Sequence, residues 1–166
     1  MESPHYAPPL FVEALRGRVL RHGLCKPLSG DQLQLCIALA LHRDGVPRER
    51  LCEQLFPEME AEAAMGRLKI CVHGVRTQLG ADSIIFFQDG YRFSAGFCTS
   101  DLDQIEELLG EAGAGRCGEG TVKELLRDLR EPRPPYYATW SWFAPIEERI
   151  VALTREACRF MGAPAC

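Results

Sequence analysis

An α+β fold is predicted by three observations. A capping-box signature at residues 29–32 opens an almost wholly apolar helix, two further helical repeats follow closely, and β-rich runs flank the set on both sides. The chain has 166 residues, 46% hydrophobic and 25% charged, enough for one domain or two small ones. It has no run of about 18 apolar residues, and MESPHYAPPL lacks both the basic start and the apolar core of a secretory signal. A cytoplasmic protein with no membrane partner is expected.

The elements follow in order. FVEALRGRVLRHGL (11–24) mixes Val, Leu and Arg in partial alternation, as a pair of short strands turning near Gly17 and Gly23 would. Ser29 is the N-cap and Gln32 the third residue of a capping box, ahead of Leu33, Leu35, Ile37, Leu39 and Leu41 in a buried helix. After Asp44-Gly45, PRERLCEQLF starts with Pro47 suited to a first helical turn, buries Leu51 with Leu55 or Phe56, and is stopped by Pro57. EMEAEAA supplies a polar connection into the third helix, RLKICVHGVRTQLG, which Gly80 caps. SIIFFQDGYRFS then places two strands either side of Asp89-Gly90, a strong hairpin signal. Strands, three helices and a hairpin in that order describe a winged helix-turn-helix, whose third helix lies in the DNA major groove while the hairpin reaches toward the minor groove or backbone.

Charge is distributed to match. Although the net charge is -4, residues 63–81 hold three basic residues and a histidine with no carboxylate, while 99–166 hold 12 acids against 8 cations. At about 100° per residue, a buried stripe on Leu68, Val72, Val75 and Leu79 leaves Gly66, Ile70, His73, Gly74 and Thr77 facing outward. Lys69 and Arg76 then lie on one shoulder and Arg67 on the other, where they would meet phosphates; a merely solvated cationic face is the alternative. His73 and Thr77 are candidates for base edges and Ile70 for a thymine methyl. A solvated histidine and an apolar contact with a neighbouring element or partner protein are the alternatives for His73 and Ile70.

LSGDQLQLCIALALHRDGVPRERLCEQLFP, AAMGRLKICVHGVRTQLG, DGYRFS and SDLDQIEELL together resemble the OmpR/PhoB-type DNA-binding domain as it occurs in the Streptomyces antibiotic regulatory protein family. TVKELLRDLREPRPPYYATWSWFAPIEERIVALTREACRF resembles the opening helices of the bacterial transcriptional activator domain that follows it there, with an aromatic connection around Trp140. The resemblance implies two domains. Residues 8–97 would be a winged-helix DNA-binding domain, and 98–166 a short all-α domain of TPR-like helical hairpins with helices near 101–110, 121–130 and 145–161. It implies a transcriptional regulator, an activator by type, bound as a homodimer to tandem repeats of double-stranded DNA. In OmpR/PhoB-type activators the loop before the third helix touches RNA polymerase, which makes Glu58, Glu60 and Glu62 polymerase-contact candidates; acids complementing a helix dipole are an equal explanation. The chain departs from the family at Gly74 and Thr77, where relatives often carry a base, and at Gln88 of the wing, which leaves Arg92 its only cation. With about four cations near DNA, log K should fall against log salt with a slope of about -3 to -4 per protomer.

Other chemistries find little support. The eight cysteines form no CxxC pair, which argues against zinc and for reduced thiols such as Cys36 and Cys71 used as small apolar residues, a redox sensor being the alternative. His5, His22, His42 and His73 are scattered, and no phosphate-cradling glycine loop, paired-histidine metal helix or GxSxG is present. No enzyme, metal or cofactor is expected. The rival function is a protein-interaction module on a winged-helix scaffold that has lost useful DNA binding, with Tyr136, Tyr137, Trp140, Trp142 and Phe143 as a docking surface or, alternatively, as rings pinning a loop to its own core.

Overall fold

The computed structural model describes residues 8–162, so His5 and Cys166 lie outside the described residues. These residues form six α-helices and two small sheets, an α+β fold. They divide into two compact units, 8–13 with 18–100 and 14–17 with 101–162.

The first unit runs β1 (Leu10–Glu13), β2 (Arg18–Arg21), β3 (Leu24–Cys25), α1 (Gly30–Leu41), β4 (Val46–Pro47), α2 (Arg48–Leu55), α3 (Ala61–Leu79), β5 (Ile84–Phe87), β6 (Gly90–Phe93) and β7 (Cys98–Ser100). One sheet has the order β3-β2-β1-β7 and the other β4-β6-β5. The run at 11–24 thus yields three strands rather than two, with turns at Gly17 (φ 66°) and Gly23 (φ 78°), where glycine takes the left-handed conformation without steric cost. β7 pairs parallel with β1, on residues assigned above to the second domain; three residues are too few to show a period in the sequence.

Helix α1 starts at the expected box. Ser29 Oγ accepts from the Gln32 amide at 3.4 Å, and Gln32 Oε1 accepts from the Ser29 amide at 3.1 Å. Seven consecutive residues, Gln34 to Ala40, are buried, because α2, α3 and strands of both sheets pack around this helix. Burial pushes the Cys36 thiol well above its ordinary value and the Cys71 thiol up to about 12. Both stay neutral at physiological pH and act as small apolar side chains.

Two local expectations need correction. Pro47 does not open α2; it lies one residue earlier, in the two-residue strand that pairs with β6. The hairpin turns on Gln88 (φ 47°) and Asp89 (φ 60°), not on Asp89-Gly90. Positive φ at both central residues is what a two-residue type I′ loop requires, and Gly90 instead pairs with Phe87 inside the ladder. A Cβ on Gly90 would lie 2.3 Å from the Val46 carbonyl oxygen, so this glycine serves the approach of β4 rather than the turn.

The second unit contains α4 (Asp101–Gly113), α5 (Glu119–Arg130) and α6 (Ala144–Phe160), with two 3-10 turns at Pro135–Thr139 and Ser141–Phe143. Leu102, Ile105, Leu109, Val122, Leu126, Leu129, Ile150 and Leu153 form its core. Asp101 accepts hydrogen bonds from the amides of Ala14, Leu15 and Leu102, each at 2.9 Å. Tyr137 Oη donates to the Ala14 carbonyl at 2.6 Å, and burial pushes the phenol far above its usual range, so it remains a donor. Tyr137, Trp142 and Phe143 are buried, which makes the aromatic connection mainly a core element; Tyr136 stays exposed.

Gly90→Ala should lower stability by about 2 kcal/mol, because backbone rather than a flexible side chain blocks the new methyl. Gly66→Ala, in open space on a helix, should raise it by about 0.5 to 1 kcal/mol. Thermal unfolding followed by circular dichroism compares the two; equal midpoints would contradict the steric role of Gly90.

Candidate nucleic-acid interface

Which side of α3 faces outward follows from what its inner side packs on. Ala64, Leu68, Cys71, Val72, Val75 and Leu79 are buried, and α3 packs against α1, α2 and β5. Gly66, Ile70, His73 and Thr77 are exposed as the helical geometry predicts, Ile70 by 71%. Thr77 Oγ1 donates to the His73 carbonyl at 3.0 Å, which commits its proton and leaves the oxygen able to accept. Gly74 is a correction. It is half-buried toward α1, and a Cβ there would lie 2.2 Å from Gln32 Nε2, so it makes room for the α1 cap instead of widening the outer face.

The shoulder cations are not equivalent. Arg67 donates from Nε and Nη2 to Asp31 Oδ2 at 3.1 and 2.7 Å, with the arginine side chain still 56% exposed. Such an exposed pair contributes about 0 to 1 kcal/mol, so a phosphate can compete for it. Arg76, placed above on an open shoulder, is half-buried and donates from Nε and Nη2 to the Ile84 carbonyl at 3.0 and 2.7 Å. It fastens α3 to the first residue of β5. Lys69 is exposed and makes no ion pair among the described residues.

The hairpin brings other groups forward. Gln88 is exposed at the turn. Arg92 lies 4.2 Å from the Phe87 ring centroid, its Nε buried without a hydrogen-bond partner. Arg48, the first residue of α2, sits 5.2 Å from the Phe86 ring and pairs with Asp89. Glu58, Glu60 and Glu62 are all exposed; Glu60 occupies the N-cap of α3 without a side-chain capping bond, and Glu62 lies in its first turn.

The fold is similar to that of a solved structure, Mycobacterium tuberculosis EmbR in complex with a low-affinity phosphopeptide, with a TM-score of 0.60 and 18% sequence identity. The match covers 93% of this chain and 46% of the EmbR chain, so the chain spans about half the length of that neighbour. At this identity the likeness is one of fold. No family model and no curated protein matches the sequence.

Residue-type reasoning gave Gln32 only its capping role and, as neighbours of this surface, missed Asp31, Arg48, Phe86 and Phe87. Asp31 and Gln32 stand beside the α1 cap, and only tertiary packing brings them to α3. For the phenylalanines a signal existed: IIFF has no alternation, so a two-stranded ribbon built on it must carry apolar side chains on both faces.

Arg76→Ala should cost about 1 to 2 kcal/mol of stability by leaving the Ile84 carbonyl without its charged donor. Lys69→Ala should stay within about 0.5 kcal/mol of the parent. Chemical denaturation distinguishes them, and equal losses would contradict the division into one fastening and one free cation.

Proposed function

We propose that the chain is a DNA-binding transcriptional regulator of the Streptomyces antibiotic regulatory protein type. Residues 8–13 with 18–100 form an OmpR/PhoB-like winged helix, a boundary slightly later than the 97/98 division read from the sequence, and 14–17 with 101–162 a short helical activator-type domain. The observation that carries this is α3: beyond its first turn, where Glu62 stands, its exposed outer face, Gly66, Ile70, His73 and Thr77 with Lys69 beside it, holds no acid, and a hairpin follows it. His73 and Thr77 hydrogen-bond base edges, and Ile70 lies against a thymine methyl. Lys69 and Arg92 meet phosphates, Arg67 does so by exchanging Asp31 for one, and Gln88 touches the backbone from the turn. Arg76 acts mainly by positioning the hairpin.

Few phosphate contacts mean modest affinity for a single copy, so two copies on tandem repeats of double-stranded DNA supply the rest. Glu58, Glu60 and Glu62 face a basic surface of RNA polymerase. The protein works in the cytoplasm, without cofactor or catalysis. The EmbR-like fold and the absence of a carboxylate from residue 63 to residue 81 support this reading. The burial of Tyr137, Trp142 and Phe143 takes three of the five rings out of the docking surface that the interaction-module alternative offered.

Fluorescence anisotropy on random duplex DNA tests it. With Arg76 committed to Ile84, the expected slope of log K against log salt is about -2 to -3 per protomer, shallower than the sequence implies. Lys69→Ala should reduce it by about 1. Absence of binding at about 50 mM salt would favour the interaction module.

A further inference from the structure

We infer that the hairpin engages DNA as an apolar wedge: Phe86 and Phe87 enter the minor groove and bend the duplex. This rests on the DNA-binding reading and extends it. Strand register puts Phe86 opposite Tyr91 and Phe87 opposite Gly90. Successive side chains point to opposite faces, so the last residue pairs before the turn carry one large ring on each side of the ribbon.

On the first face Ile84, Tyr91 and Phe93 are buried, and the apolar row then runs past the core to Phe86, which is 54% exposed and meets Tyr91 edge-on at 5.4 Å. On the other face Phe87 is 40% exposed, because Gly90 opposite it has no side chain to cover the ring. One exposed ring needs no explanation, but adjacent rings on both faces of a turn make a ribbon with no inside.

Each ring also carries a cation. Arg48 lies over Phe86 and Arg92 over Phe87, and Asp89 at the tip is neutralised by Arg48. A flat protein partner would cover one face of such a ribbon. A groove with two walls covers both. The walls of the DNA minor groove are deoxyribose rings bordered by phosphates, so they offer apolar surface to the phenylalanines and an anion to the Arg92 guanidinium, while Arg48 stays paired with Asp89 and keeps the tip free of net negative charge. Inserted phenylalanines partly unstack a base step and kink the duplex by about 20 to 90°. The absence of a cation at Gln88 then has a counterpart: the wing contributes apolar contact and deformation where an arginine would contribute charge.

The test uses the full chain and a duplex of about 30 base pairs carrying a donor and an acceptor dye at its ends, read by anisotropy for affinity and by energy transfer for bending. Wild type should raise energy transfer on binding, and more so on a duplex with central TA steps, which kink easily. Phe86→Ala with Phe87→Ala should weaken binding about ten-fold and abolish the rise. Phe87→Lys, which adds charge while removing the ring, should bind with a steeper salt slope but a smaller bend. If wild type binds without bending and the alanine variants bind as tightly, the wedge is overturned while DNA binding stands. If the Phe87→Lys variant bends DNA as fully as wild type, the ring is not what deforms it. Failure of wild type to bind any duplex overturns both proposals. Variants that bind normally but convert a dimer to a monomer in light scattering would reassign the rings to contact with a second copy.

Discussion

The burial of α1 is the constraint on which the first unit depends. Seven consecutive buried residues leave this helix no solvent face along half its length, so α2, α3 and both sheets must surround it. The side of α3 turned to α1 is thereby fixed, and its outer face is fixed by what remains. The α1 cap reaches across as well: Gln32, which closes the capping box, fills the space that Gly74 leaves open, and Asp31 beside it holds Arg67. Two residues in the first turn of α1, Asp31 and Gln32, therefore bear on both the geometry and the charge of α3.

The electrostatic consequence is a division among cations that net charge conceals. An exposed arginine–aspartate pair contributes little and can exchange its partner, whereas a half-buried arginine holding a strand carbonyl with two donors leaves an unsatisfied acceptor if it moves. Arg67 and Arg76 look alike in sequence and differ in availability. On the DNA-binding reading proposed above, a surface built this way would rely on a few phosphates, on apolar contact from Ile70, and on a second copy for tight binding.

Much of the fold was legible because it rests on local chemistry. The Ser29–Gln32 box, the glycine turns at 17 and 23, the C-cap at Gly80 and the outward run Gly66, Ile70, His73 and Thr77 follow from spacing and propensity alone. What was not legible depends on residues distant in sequence. Gly90 looks like a turn glycine until Val46 is seen against it, and the turn then moves one residue back to Gln88-Asp89. Strand β7 is visible only through its partner β1. Arg76 and Arg48 look free until Ile84 and Asp89 are placed beside them.

The central claim is that the outer face of α3 is where DNA is read. The most direct measurement follows the side-chain methyl resonances of Ile70 and of buried Leu68 and Val75 while duplex DNA is titrated into the full chain. The δ-methyl of Ile70, a residue 71% exposed, should shift progressively and saturate with the anisotropy isotherm while Leu68 and Val75 stay near their free positions. An Ile70 methyl that does not move at saturating DNA would contradict recognition by this face.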